Sequence, residues 1–304
     1  MQNRLQSRVS GISHFFLAIG ILILSLFAMT GISFFVIQTG MGLQMGDLTN
    51  ISLDQLTIHK AFALKLAQFI IALSFVIAGF ICTKTFRQDF LSFTGLKSNV
   101  KIKHLIIAFG LLLALIPTVD ALVRFNASWT FPGKFEIMFT DLEAKSNHTY
   151  DLFLKHNQGS HFIMNLVIMS LLAGIGEEIF FRGILMRVLS KWANNVHVGI
   201  LLSAVLFTII HFQPYKFLPM LAFGVFLGYL YYRTKSLWIP IIVHAINNAI
   251  VVVGDWYIKN GNTASLFDED YTFSSIVLAV SLISLAVLGY VFWKQTNDNN
   301  FDYA

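Results

Sequence analysis

Long apolar stretches dominate this chain and restrict what it can fold into. Crossing the hydrocarbon of a bilayer takes about 20 residues of helix, and eight stretches come near that length. Only 12% of the residues are charged, against about 25% in soluble domains. The sequence therefore predicts an all-α polytopic membrane protein with about eight transmembrane helices, at roughly 15–37, 61–83, 104–123, 161–189, 197–212, 217–232, 237–256 and 273–293.

The distribution of charged residues predicts the orientation of these spans. With the N-terminus in the cytoplasm, the inner segments hold 12 basic residues and three acids, and the outer segments hold 8 basic residues and 11 acids. This excess of Lys and Arg inside follows the positive-inside rule. We therefore expect both termini to be cytoplasmic. The net charge is +5, but the basic residues are distributed according to the side of the membrane and do not cluster with aromatic residues. The charge therefore does not indicate nucleic-acid binding.

Three features outside the spans complete the outline. The polar stretch 124–160 mixes charges of both signs with aromatic residues, which favour the membrane interface, and it predicts an outer loop with an interfacial helix. Residues 294–304 are predicted to form a flexible tail. The single cysteine, Cys82, excludes an intramolecular disulfide and a thiolate zinc cluster, and we expect it to be a small buried residue.

Two adjacent glutamates, Glu177 and Glu178, interrupt the fourth apolar stretch. A carboxylate at the centre of a bilayer helix costs about 2.5–3.5 kcal/mol, so the pair indicates a function. Glu178 precedes Arg182 by four residues, on the same helical face, and an ion pair is the least costly way to keep both charged. Glu177 is rotated by about 100° from Glu178 and is expected to face another helix. The alternative is that both glutamates are structural contacts between helices.

The next three stretches carry further residues at helical spacings: Ser203, Phe207 and His211, then Gly224 and Gly228, then His244 and Asn248. The glycine pair predicts a close approach of two helices, and a lone His at a helix end is more often a packing residue. Taken together, however, a carboxylate with an imidazole can take a proton from water. A second imidazole with an amide can donate hydrogen bonds to a developing oxyanion. These groups fit attack of water on an acyl carbon, with or without a metal.

Three motifs in order resemble those of the CAAX prenyl protease and bacteriocin-processing family, whose members are similar to type II CAAX endopeptidases. The string from Glu177 to Arg182 resembles its EExxxR signature, Phe207 to His211 its second motif, and His244 to Asn248 its last. The resemblance covers about residues 161–256. It implies an intramembrane endopeptidase with a four-helix catalytic core at 161–256 and peripheral transmembrane helices at 1–123 and 273–293.

The resemblance also implies roles for individual residues. Those matching Glu177 and His211 are held to activate water, and those matching His244 and Asn248 to stabilise the oxyanion. The remaining motif residues would support the site: Glu178, Arg182, Phe207, Gly224 and Gly228. Glu177, His211 and His244 are acceptable zinc ligands, but no HExxH helix is present, so mechanisms with and without zinc stay open. The expected partner is a membrane-associated peptide or lipidated protein, prenylated CAAX-type or bacteriocin-like, in the bacterial plasma membrane.

Two other classes of function stay open at this point. Intramembrane Glu, His and Arg would suit the relay of a proton- or ion-coupled transporter, although no inverted repeat or pair of broken helices is evident. A non-catalytic scaffold or immunity protein of the same fold is the second alternative.

Two expectations concern the geometry of the site. A basic inner rim predicts that the site opens towards the cytoplasm: Arg187, Lys191, Arg233 and Lys235. His211 and His244, however, are predicted near opposite ends of their spans, which implies different depths in the membrane.

Overall fold

The computed structural model describes residues 2–42, 44, 51–262 and 271–296, and these contain helices and no β-strand. We number the helices in chain order: α1 (Gln2–Met41), α2 (Ile58–Thr85), α3 (Phe90–Thr94), α4 (Ile102–Ala127), α5 (Lys134–Leu154), α6 (Gly159–Ala193), α7 (Val196–Ile209), α8 (Phe217–Thr234), α9 (Trp238–Lys259) and α10 (Ser275–Gln295).

The prediction of an all-α polytopic membrane protein is confirmed, and each of the eight predicted apolar stretches coincides with a helix. Within the described part of the chain, six helices are long and apolar enough to cross a membrane: α1 from Ser10 onwards, α2, α4, α6, α9 and α10. The other two are shorter, since α7 has 14 residues and α8 has 18. The two short helices pack against each other.

Helices α6 to α9 form the middle of the molecule, with a pair of helices on each flank. On one flank, α1 and α2 bury Ala18 and Cys82 against Phe180 of α6. On the other flank, α4 and α10 contact α8 and α9, where Leu112 and Leu227 belong to one buried cluster. Cys82 is fully buried, as predicted.

The corner between α6 and α7 is made by two asparagines. Asn194 takes a left-handed conformation, with φ 51°, and ends α6. Asn tolerates this conformation better than most residues. The side chain of Asn195 then accepts hydrogen bonds from the backbone N–H groups of His197 and Val198, at 2.9 and 3.3 Å, and so caps the start of α7. The chain therefore reverses within two residues and α7 lies directly against α6.

This close contact makes Gly199 sensitive to substitution. A Cβ at Gly199 would lie 2.8 Å from both the carbonyl oxygen of Met186 and the backbone nitrogen of Ser190. We expect Gly199→Ala to force α6 and α7 apart and to lower the free energy of unfolding by roughly 1–3 kcal/mol. Gly289→Ala is the matched control, because no atom lies within 4 Å of a Cβ built there. Thermal unfolding in detergent checks this, and equal melting temperatures for both variants would contradict it.

The polar stretch 124–160 contains the predicted helix, α5, which lies across one end of the bundle. Near its start, Glu136 accepts a hydrogen bond from Tyr215 at 2.8 Å, and Glu143 forms an ion pair with Lys216 at 3.0 Å. Near its end, His148 donates to the carbonyl of Ile51 at 3.0 Å. Because α5 is attached on both sides, it covers the region between the turn at 210–216 and the segment before α2.

The predicted flexible tail begins too early. Lys294 and Gln295 are the last residues of α10. Thr296 is buried, and its hydroxyl accepts a hydrogen bond from Arg233 at 3.0 Å. Residues 297–304, the rest of the predicted tail, lie outside the described residues.

Candidate active site

Helix α6 departs from regular α-helical geometry on both sides of the two glutamates. Leu166–Leu172 and Ile179–Leu185 are π-helical, and Ala173–Glu178 between them is α-helical. Such π segments within α-helices occur frequently at functional sites. Nothing in the apolar pattern of this stretch predicts them, because the hydrophobic residues surround the helix on all sides.

The predicted ion pair between Glu178 and Arg182 is present in the centre of the bundle. Arg182 Nη1 lies 2.5 Å from Glu178 Oε1, and the two side chains are 1% and 0% exposed. Arg182 also donates from Nη2 to the carbonyl of Gly224 at 3.0 Å. Its guanidinium lies 4.9 Å from the ring centroid of Phe207. One arginine of α6 therefore contacts both α7 and α8.

The two glycines of α8 face α7, as the small-residue spacing predicts. A Cβ at Gly224 would lie 3.0 Å from the Cβ of Ala204, and a Cβ at Gly228 would lie 2.8 Å from Cγ2 of Ile200. This close approach of the two helices places the carbonyl of Gly224 within reach of Arg182.

His244 of α9 lies between the two glutamates. Its Nδ1 donates to Glu178 Oε1 at 2.9 Å, and its Nε2 lies 3.8 Å from Glu177 Oε2. Sequence reasoning assigned Glu178 only to Arg182 and missed this second contact, since residues 66 positions apart give no spacing signal. Glu178 therefore fixes the orientation of His244 as well as balancing the charge of Arg182.

His211 lies just beyond the end of α7. Its Nδ1 donates to the carbonyl of Phe207 at 2.6 Å, and the two rings are 4.6 Å apart. This hydrogen bond uses the proton on Nδ1 and leaves Nε2 of the neutral ring as an acceptor.

His211 and His244 do not lie at the different depths predicted from the sequence, because α7 is shorter than predicted. The helix was predicted over 197–212 and ends at Ile209, so its end lies at the level of the site. The rings of Phe207 and His244 are 6.0 Å apart.

Asn248 is oriented by two neighbours. Its Nδ2 donates to the carbonyl of Met169 at 3.1 Å, and its Oδ1 accepts from Asn247 at 3.3 Å. The first of these bonds connects α9 to a π-helical segment of α6. One N–H of the Asn248 amide remains for another acceptor.

A cavity of about 390 Å³ brings the four predicted catalytic residues together, since its lining includes Glu177, His211, His244 and Asn248. Its volume is in the usual range for small-molecule sites. Sequence reasoning missed the polar side chains that complete the lining: Gln68, Thr149, Tyr150, Gln213 and Asn247. Thr149 and Tyr150 belong to α5, so the interfacial helix forms part of the wall.

The lining does not support the expected opening on the basic side. The four residues of the predicted basic rim are absent from it. The cavity extends instead towards α5 and the turn after α7, because His211 and Gln213 follow the end of α7 that lies away from the α6–α7 corner.

The candidate zinc ligands do not form a metal site in this arrangement. Among the described residues, no three His, Cys, Asp or Glu side chains are grouped closely enough to hold a metal ion.

Comparisons with known proteins agree with the motif pattern. A family model described as type II CAAX prenyl endopeptidase Rce1-like matches residues 159–250. The protein named "Putative membrane peptidase YdiL" from Bacillus subtilis (strain 168) is 30% identical over 134 residues, which are 41% of this chain and 54% of that protein. "Uncharacterized protein YpbD" from the same organism is 27% identical over 92 residues, 29% of this chain and 44% of that protein.

The chain thus spans about half the length of the curated relatives it matches. No solved structure matches it significantly. The segment matched by the family model begins with α6 and ends within α9, so it contains both glutamates, His211, His244 and Asn248. By this segment the chain is similar to the type II CAAX prenyl endopeptidase Rce1-like family.

Proposed function

We propose that this protein is an intramembrane endopeptidase that uses water to hydrolyse a peptide bond of a membrane-associated substrate. One observation carries the proposal: a carboxylate, two imidazoles and a primary amide from three parts of the chain line a single cavity. The match to the family model supports it, because the matched segment supplies these residues.

In the first step, Glu177 acts as the general base. Its carboxylate lines the cavity and is 16% exposed, so it can accept a proton from a water molecule. His211 orients the same water by accepting a hydrogen bond at Nε2. The water oxygen forms a bond to the carbonyl carbon of the substrate, and the π electrons of the carbonyl move to its oxygen.

In the second step, the oxyanion is stabilised and then collapses. Asn248 donates its remaining amide N–H to the oxyanion. His244, as an imidazolium, donates from Nδ1 to Glu178 and from Nε2 into the cavity. When the carbonyl reforms and the C–N bond breaks, Glu177 returns its proton to the leaving nitrogen. The products are a carboxylic acid and an amine, and the acid then transfers its proton to the amine.

We propose a hydrophobic or lipid-modified peptide as the substrate. The cavity has large apolar side chains next to the reacting groups: Phe75, Phe153, Met169, Met220 and Phe223. These would bind an apolar segment, while Gln68 and Gln213 would bind its backbone. A prenylated CAAX-type tail and a bacteriocin-like peptide both have this character. We place the protein in a bacterial plasma membrane, as its Bacillus relatives suggest, with substrate entering from the end that holds α5.

Cleavage by the purified protein in lipid nanodiscs tests this function. We expect hydrolysis of a farnesylated CAAX peptide or of an unmodified hydrophobic peptide, detected by mass spectrometry. In H₂¹⁸O, the new carboxyl group should carry one ¹⁸O atom because water is the nucleophile. A soluble polar peptide serves as the negative control. Failure to cleave either apolar peptide, or products without ¹⁸O, would contradict the proposal.

A further inference from the structure

A second, smaller cavity lies at the other end of the bundle from the candidate active site. It has a volume of about 200 Å³ and lies between the start of α4 and the end of α8. Four of its seven lining residues are basic and none is acidic: Lys101, His104, Arg233 and Lys235 are the basic ones. The sequence analysis assigned Arg233 and Lys235 to a basic rim of the active site, but they line this separate cavity.

The start of α4 adds to the positive character of the cavity. The backbone N–H groups in the first turn of a helix lack intrahelical partners, and they carry the positive end of the helix dipole. Lys101 occupies the N-cap of α4, and its side chain makes no capping hydrogen bond. Of the residues in the first turn only His104 lines the cavity, and its N–H donates to the carbonyl of Lys101. The start of α4 therefore contributes positive potential to the cavity rather than free donors.

Arg233 is held firmly beside the cavity. It is buried, and it donates from Nε to the hydroxyl of Thr296 at 3.0 Å and from Nη2 to the carbonyl of Trp293 at 2.5 Å. Its guanidinium also lies 3.8 Å from the ring centroid of Trp293. These contacts hold the positive charge of the guanidinium at the wall of the cavity, where it attracts an anion.

The surroundings of the cavity are those of a membrane interface. Ile102, next to Lys101, is 67% exposed, and Trp238 is 39% exposed. Tryptophan is enriched at the headgroup level of membranes. Basic pockets between transmembrane helices are known to bind anionic lipid headgroups. From this combination we infer that the cavity binds the phosphate of an anionic phospholipid.

Lipid retention tests this inference. The wild-type protein would be reconstituted with an equal mixture of phosphatidylglycerol and phosphatidylcholine, extracted, and studied by native mass spectrometry. We expect it to retain phosphatidylglycerol preferentially, and we expect Lys101→Gln/Lys235→Gln to lower this retention at least tenfold. Lys103→Gln is the matched control, because Lys103 lies on α4 at the same end but does not line the cavity. The single variant Lys101→Gln, at an exposed position, replaces the double variant if the latter fails to fold.

Thermal unfolding in the same detergent distinguishes a lipid from free phosphate. A melting temperature raised by phosphatidylglycerol and unchanged by inorganic phosphate identifies a lipid headgroup. An equal rise with inorganic phosphate identifies a soluble phosphate compound and overturns the lipid assignment. The proposed site is contradicted if the wild type retains the two lipids equally. It is also contradicted if the Lys101 variants retain as much phosphatidylglycerol as the wild type.

Discussion

Glu177→Gln is expected to lower the cleavage rate by about 10²–10⁴-fold, the usual contribution of a general base, while the protein stays folded. Glutamine has nearly the same shape as glutamate, so the cavity and its other lining residues are preserved. The amide cannot accept the proton of water. Glu177 Oε2 lies 3.8 Å from Nε2 of His244, and among the described residues no short hydrogen bond to Glu177 is broken by the substitution.

Rate and stability are measured together in this experiment. Cleavage is followed by mass spectrometry and folding by thermal unfolding in the same detergent. Asp141→Asn makes the same chemical change on the exposed face of α5, where Asp141 pairs with Lys145 and is 56% exposed, and it should keep both properties. Unchanged cleavage by Glu177→Gln would remove Glu177 from the mechanism.

The sequence predicts best what is local. The eight apolar stretches all became helices because hydrophobic length alone determines such segments in a bilayer. The pair of Glu178 and Arg182 was predictable since four residues bring two side chains to one face of a helix. The role of the α8 glycines was equally predictable, because a spacing of small residues indicates a close approach of another helix without specifying which one.

Contacts between distant elements could not be predicted in this way. The hydrogen bond from His244 to Glu178 depends on how α9 is rotated against α6, which no spacing within one helix specifies. The end of α7 at Ile209, before His211, depends on a turn within a continuous apolar run. Tyr150 joined the cavity because α5 lies across the bundle, whereas the sequence indicated only that the stretch 124–160 contains an interfacial helix.

The four residues of the predicted basic rim do not line the candidate active site, for a physical reason. Basic residues at helix ends follow the orientation of the whole protein in the membrane, and they do not indicate where the active site opens. Lys101, Arg233 and Lys235 line a different pocket at the opposite end. If the excess of Lys and Arg sets the orientation, the candidate active site extends towards the outer side. Cysteine labelling at Thr149 with a membrane-impermeant reagent tests which side this is.

The two glutamates are expected to differ most in how much their substitution lowers the stability of the protein. Glu178→Gln leaves the fully buried guanidinium of Arg182 without its carboxylate. Removing one partner of a buried ion pair costs about 3–5 kcal/mol, so the melting temperature should fall by on the order of 10 °C. Glutamine at position 178 still offers an oxygen to Nδ1 of His244. The loss of stability in Glu178→Gln therefore comes chiefly from the broken ion pair with Arg182. Glu177→Gln should melt near the wild-type temperature.

A double-mutant cycle isolates the pair. Arg182→Met alone leaves the Glu178 carboxylate buried without its cation and should be destabilising to a similar degree. Glu178→Gln/Arg182→Met contains neither charge, so it should lose much less stability than the sum of the two single variants. The same cycle for Asp141 and Lys145, an exposed pair, should give a coupling of about 0.3–0.5 kcal/mol or less. If the losses of the two single variants at 178 and 182 were additive, Glu178 and Arg182 would not stabilise the protein as a pair. Equal losses in melting temperature for Glu177→Gln and Glu178→Gln would contradict a structural role specific to Glu178.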